Sequence, residues 1–353
     1  MKVSGNLSDV SEQLNRLVKQ VQKNCDIGDA KFGGNDSLCI YLLKMRDHYI
    51  WQNKIDLDAD LDRNALGKWI NQTEAYWDEI EELDLQPLEI EGQTLDCFDN
   101  RAVNDLINPA GWVYSAGLGQ GSRPVFFLGK LLSLEKSGDL RIYVSGDEYA
   151  RSLSSPPGMS QSNDIYIRKD ALTRYLHSIV EEWQMRKAES RPSSLMRHYS
   201  FETSPGEALS AMVEDKMENV ILHELGERVA EEIIGEGWRE MLQSINHPVH
   251  ELKVRAIRDN LADCATTLPG LISDDNAIGL ELFYTGLSPL RRELFPSLCK
   301  VIQSKDSAVG NLDLKNIVTK GQAHWTGICK KLVAQYRDLK GDQLDEFLQE
   351  CVL

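Results

Sequence analysis

Residues 223–227 read His-Glu-Leu-Gly-Glu. A histidine and a carboxylate four residues apart on a helix project from the same face, the minimum arrangement for two side chains to share a metal ion. His223 and Glu227 are therefore the first candidate ligands, and His250, on the next stretch of helical periodicity, is the candidate third. Asp259 and Asp263 stand in reserve on that second stretch, as ligands or as groups that orient a ligand from behind. The chemistry would be binding of a divalent metal (zinc, iron or manganese). With Glu224 as general base it would extend to metal-dependent hydrolysis. The same pair read plainly is a side-chain hydrogen bond at a helix margin, and His250 a satisfied core histidine.

The pentamer is similar to the zincin metallopeptidase helix, H-E-x-x-H, at four of its five positions. That resemblance implies His223 as a zinc ligand and Glu224 as the base that activates water. Glu227 stands where the zincins carry their second histidine ligand. Five residues in a chain of 353 do not assign the family.

The elements that must position these groups are well marked. Ser204 is placed to cap a helix, Pro205 fits its first position, Glu207 completes a Ser-x-x-Glu capping box, and Gly235 and Gly237 close the far end. At about 100° per residue, Leu222, Leu225, Gly226, Val229, Ala230, Ile233 and Ile234 form one apolar arc. His223 falls just inside one margin of that arc, Glu227 just outside the same margin, and Glu224 on the solvent side. After a break at Asn246-His247-Pro248, residues 250–264 give a second helix with Val254, Ile257 and Leu261 in its stripe, continued by Ala265, and His250 lies on that stripe. The short connection predicts antiparallel neighbours, so that His223, Glu227 and His250 meet across their interface.

Composition bounds the alternatives. Lys and Arg total 39 against 55 Asp and Glu, a net charge of −16, which disfavours nucleic acid and anionic membrane surfaces as partners. No apolar run has the length of a signal-peptide core or a membrane span. The seven cysteines are scattered and never spaced C-x-x-C, the usage of reduced thiols in a cytoplasm. Between Trp69 and Asn100 there are ten acidic residues and no basic one. This makes the stretch from Glu74 to Asp99 a solvated face or, in a second functional class, a non-catalytic helical protein's docking site for a basic partner protein.

Hydrophobic periodicity predicts an α+β fold, predominantly helical, with a small antiparallel meander in the middle of the chain. The expected organisation is an N-terminal α+β domain over residues 1–190 and an all-helical C-terminal domain over 200–353, with Arg191-Pro-Ser-Ser as the boundary. Within the first, helices reach to about residue 110, strands fill about 111–167, and a helix covers 168–187. Residues 152–163 read as a flexible polar loop and Leu268-Pro-Gly as a turn. Asp56-x-Asp58-x-Asp60-x-Asp62 lacks the glycine and the bidentate glutamate of a calcium loop, with Leu61 and Gly67 at those positions. Gly117-Leu-Gly-Gln-Gly121 has the wrong spacing for a dinucleotide fingerprint and reads as a hairpin tip.

Overall fold

The computed structural model describes residues 7–186, 193–245, 247–304, 309–336, 338 and 342–353. The fold is α+β and predominantly helical. By packing, the chain divides into two units, one of Met1–Ser137, Arg141–Pro157 and Arg168–Ser178, the other of Gly138–Leu140, Gly158–Ile167 and Ile179–Leu353. Of the candidate boundary at 191–194, residues 191 and 192 lie outside those described, as does Asn246.

Three helices open the chain: α1 (Leu7–Phe32), α2 (Leu38–Gln52) and α3 (Arg63–Ile80). α1 continues to Phe32 because Ile27 and its neighbours enter a second patch of core with Met45, Trp77 and Leu153. Asp62 caps α3 by accepting from the Asn64 amide at 2.8 Å. A hairpin unmarked in the sequence follows, β1 (Leu88–Ile90) and β2 (Gln93–Leu95), paired antiparallel. Its two turn residues, Glu91 and Gly92, both have positive φ (51° and 77°), the backbone a two-residue hairpin turn needs.

After α4 (Asn100–Ile107) come β3 (Trp112–Leu118), β4 (Pro124–Ser137), β5 (Leu140–Arg151), β6 (Gly158–Gln161) and β7 (Asp164–Arg168). They form a five-stranded sheet in the order β3-β4-β5-β7-β6. β3 and β4 pair antiparallel around the Gly117–Gly121 tip, and β6 pairs antiparallel with β7. Residues expected to be loop at 158–161 are thus a strand. β3 is an edge, and α4 covers it with two asparagines four residues apart. Asn104 exchanges two hydrogen bonds with the Tyr114 backbone (2.8 and 2.9 Å), and Asn100 does the same with Ala116 (2.9 and 2.7 Å). The spacing works because one helical turn spans nearly the rise of two strand residues, and it leaves no open ladder at this edge. Leu17, Val21 and Cys25 of α1 close the core against Phe126 and Leu128 of β4.

The remaining chain is helical: α5 (Lys169–Met185), α6 (Ser193–His198), α7 (Pro205–Ile234), α8 (Trp238–Ser244), α9 (Pro248–Ala262), α10 (Leu268–Ser273), α11 (Ala277–Gly286), α12 (Pro289–Leu294), α13 (Pro296–Gln303), α14 (Val309–Gln335) and α15 (Asp342–Gln349). α9 and α10 are joined by a π-helical segment, Asp263–Thr267, so Leu268-Pro-Gly is helix rather than turn. Pro269 is tolerated there because it occupies the first turn of α10. Ala230, Trp238, Val254, Ile257, Leu261, Leu268, Phe295 and Trp325 build one apolar core. Among the described residues no helix is long and apolar enough to cross a membrane.

A charge cluster between two helices and a strand

α7 begins with Pro205 and ends at Gly235, whose φ of 86° stops the helix as the glycines foretold. Ser204 makes no side-chain cap, so the capping box is not formed. α7 packs on α9 and on the π-helical segment. The approach is close enough that a Cβ on Gly226 would collide with Thr266 Oγ1 and the Ala262 carbonyl oxygen. Glycine is therefore required by contact, not by backbone angle. The π bulge shifts the register at this point, and such bulges recur at functional sites. It starts at Asp263, beneath His223.

His223 Nδ1 lies 2.7 Å from Asp263 Oδ1, and its other ring nitrogen, Nε2, lies 3.6 Å from Glu227 Oε1. Asp259 completes the group, with one ligand atom each from His223, Glu227 and Asp259 all within 4.8 Å of one another. Two arginines complete the charge balance. Arg258 bridges the carboxylates of Glu227 and Asp259, and Arg291 donates to Asp263 and, at 3.1 Å, to Asn260 Oδ1. The Thr267 hydroxyl donates to Asp263 Oδ1 at 2.8 Å, and Ser160 of β6 to Glu227 Oε2 at 3.3 Å.

Burial and partners set the protonation. Burial pulls the His223 pKa down, but the Asp263 charge and hydrogen bond, with Glu227 and Asp259 behind them, outweigh it and hold the imidazole well above its ordinary value. Burial would raise Glu227; the Arg258 guanidinium and His223 overcome it and lower it to about 2. Asp263 is held well below the usual carboxylate range by Arg291 and His223 despite complete burial. At neutral pH the centre carries His223, Arg258 and Arg291 as cations, with Glu227 and Asp263 held as anions between them.

Two sequence expectations fail here. Glu224 is not solvated: only 6% exposed, it lies under β6, where a Cβ on Gly158 would come within 2.5 Å of its Oε1. Burial, and the Glu227 charge beside it, raise its pKa to about 8. The helical wheel could not show this, because the covering strand is more than sixty residues away in sequence. His250 does not join His223 and Glu227. It sits in the first turn of α9, its Nε2 2.7 Å from Asp345 Oδ1 and its ring 4.4 Å from that of His247. Asp259 lies nine residues further on, roughly 13 Å along the same helix at about 1.5 Å per residue. A whole α8 intervenes between α7 and α9, so the connection does not set the register that the short-loop reading assumed. Of the expected residues, His223 and Glu227 are brought together, Asp259 replaces His250, and Asp263 orients His223. Arg258, Arg291 and Ser160 had no signal of their own, since each acts through a partner distant in sequence.

Two family models cover the chain: the N-terminal domain of a family of unknown function (DUF6866) matches residues 16–168, and the C-terminal domain of that family matches residues 173–352. No curated protein and no solved structure matches it.

Proposed function

Since the chain belongs to a family of unknown function, DUF6866, we propose a role from its own geometry: a divalent-cation-binding protein whose ligands are His223, Glu227 and Asp259. The observation that carries this reading is the Asp263–His223 hydrogen bond of 2.7 Å at Nδ1, with Nε2 3.6 Å from Glu227 Oε1 and Asp259 completing the group. A carboxylate behind a histidine fixes its tautomer and raises its basicity, the usual support of a metal-ligating imidazole. One nitrogen and two carboxylates suit zinc, iron or manganese. Ligand atoms about a tetrahedral ion stand roughly 3.3 Å apart at ordinary bond lengths, so a small inward rotation of the side chains closes the group. Arg258 sits between the two carboxylates as a cation would. A dication exchanged for the His223 proton and the Arg258 guanidinium leaves the cluster's total charge unchanged.

Bound there, a cation would supply Lewis acidity and would tie α7 to α9. A hydrolytic role would require Glu224 to reach substrate water, and its cover by Gly158 argues against that. Cation binding without hydrolysis is the reading the packing supports best.

Purified full-length protein is expected to take up about one equivalent of zinc or manganese by elemental analysis after dialysis. Uptake should be lost in His223→Ala and Asp259→Asn, and strengthened in Arg258→Gln, where the competing cation is gone. Metal-free protein that gains no thermal stability from either ion, in wild type and Arg258→Gln alike, would end this reading. A second reading keeps one observation. Asp78, Glu79, Glu81 and Glu82 are exposed, and among the described residues none of them forms an ion pair. That face is free to dock a basic protein, with salt-sensitive association weakened by charge reversal at these four positions.

A further inference from the structure

The N-terminal unit holds a cleft of about 260 Å³ walled by α1, α2 and α3. Trp69, Trp77 and Tyr76 supply its aromatic surface, and Asp26, His48 and Gln22 its polar groups. We propose that this cleft binds a small organic cation, a protonated or methylated amine, with the Asp26 carboxylate as counter-ion and the indoles of Trp69 and Trp77 as walls.

Three observations point to a cation and not to a neutral ligand. First, Asp26 accepts from the Gln22 side-chain amide at 2.9 Å, yet among the described residues it forms no ion pair. The adjacent Lys23 favours the Asp26 anion only from a distance, its amine donating to the Tyr76 hydroxyl at 3.2 Å and lying 5.1 Å from that ring's centroid, and the Trp77 side chain favours the same anion by a hydrogen bond. A carboxylate partly removed from water without a direct ion pair is less stable than a paired one, and an incoming ammonium supplies the pair. Burial raises Asp26 to about 6, so it remains an anion at neutral pH. Second, His48 is 4% exposed and its Nδ1 has no hydrogen-bond partner. Burial, together with the Arg151 charge, lowers its pKa to about 3 and keeps the ring neutral, so it adds no positive charge to the cleft wall. Third, indole faces attract cations. The three aromatic rings and the one carboxylate of the lining match a ligand made of N–H or N–CH₃ donors, with Gln52, Gln72 and Thr73 completing the wall. The volume lies just below the range of drug-sized sites and suits a ligand of one small ring or a short alkyl body.

The test uses the full-length chain, tryptophan fluorescence and calorimetry, with three probes: benzylammonium chloride, its neutral analogue benzyl alcohol, and glucose. The expected result is saturable binding of benzylammonium, at least tenfold weaker binding of benzyl alcohol, and none of glucose. Asp26→Asn should weaken benzylammonium tenfold or more while the melting temperature stays level or rises, since the variant removes a desolvated charge without changing shape. Trp69→Leu is the second variant, with the same expected direction. The proposal is overturned by equal binding of the alcohol, by glucose binding in place of the ammonium, by unchanged affinity in folded Asp26→Asn and Trp69→Leu, or by no binding of any probe.

Discussion

His48 in the N-terminal unit and His223 in the C-terminal unit are both drawn out of water, and they titrate in opposite directions. Burial and the neighbouring Arg151 lower His48 to about 3. His223 meets the same desolvation, but Asp263 at 2.7 Å reverses the outcome and holds the ring charged. The difference teaches that burial alone does not decide a histidine's charge. The nearest ion does, because in a low-dielectric interior one partner is worth more than the loss of many waters.

The comparison breaks most visibly at Asp263. Replacing it with alanine takes from Arg291 its ion-pair partner and from His223 its nearer carboxylate, and about 3–5 kcal/mol of stability should be lost in urea denaturation. A loss under about 1 kcal/mol would mean that the ionic cluster is not what holds α7 on α9. Gly226→Ala attacks the same contact sterically. Its Cβ would collide with Thr266 and a backbone carbonyl, at about 3 kcal/mol, the upper end for overpacking, and the variant should melt correspondingly earlier.

The pH dependence of stability separates the two histidines. For His48 the unfolded chain binds a proton near pH 6.5 that the folded protein refuses until about pH 3. Its effect is nil above the unfolded value and becomes a growing cost as pH falls, about 2 kcal/mol between pH 7 and 5. His48→Gln should flatten that acid limb. For His223 the folded value is the higher one. Its stabilising contribution is fully present below about pH 6.5 and is lost as pH rises through the raised folded pKa. His223→Gln should therefore cost on the order of 1 kcal/mol at pH 6, with the gap to wild type closing at alkaline pH. Parallel curves for the two variants would contradict the opposition argued here.

Local pattern carried a good part of this fold into view. Pro205 and Gly235 bounded α7, and the Gly117–Gly121 tip marked β3 and β4 as a hairpin. The β1-β2 hairpin escaped notice because its turn, Glu91-Gly92, lies in an acidic run that reads as solvated helix or linker. In the site, the i,i+4 relation of His223 and Glu227 is a property of helical pitch and was legible at once. The choice between His250 and Asp259 was not, since it depends on how far α9 slides along α7, and the sequence holds no ruler for that.

From the amino acids alone came the helical periodicity, the negative charge, and the histidine–carboxylate pair of His223 and Glu227 with ligand spacing, all of which are set within a few residues by covalent geometry. The tertiary structure alone decided that Gly226 lets the π-helical segment reach His223, that β6 buries Glu224, and that Arg258 and Arg291 neutralise the carboxylates. Those contacts join residues 28 to 67 positions apart, and only the packing of whole elements, driven by the burial of their apolar faces, brings such groups within the few ångströms over which charge and hydrogen bonding act.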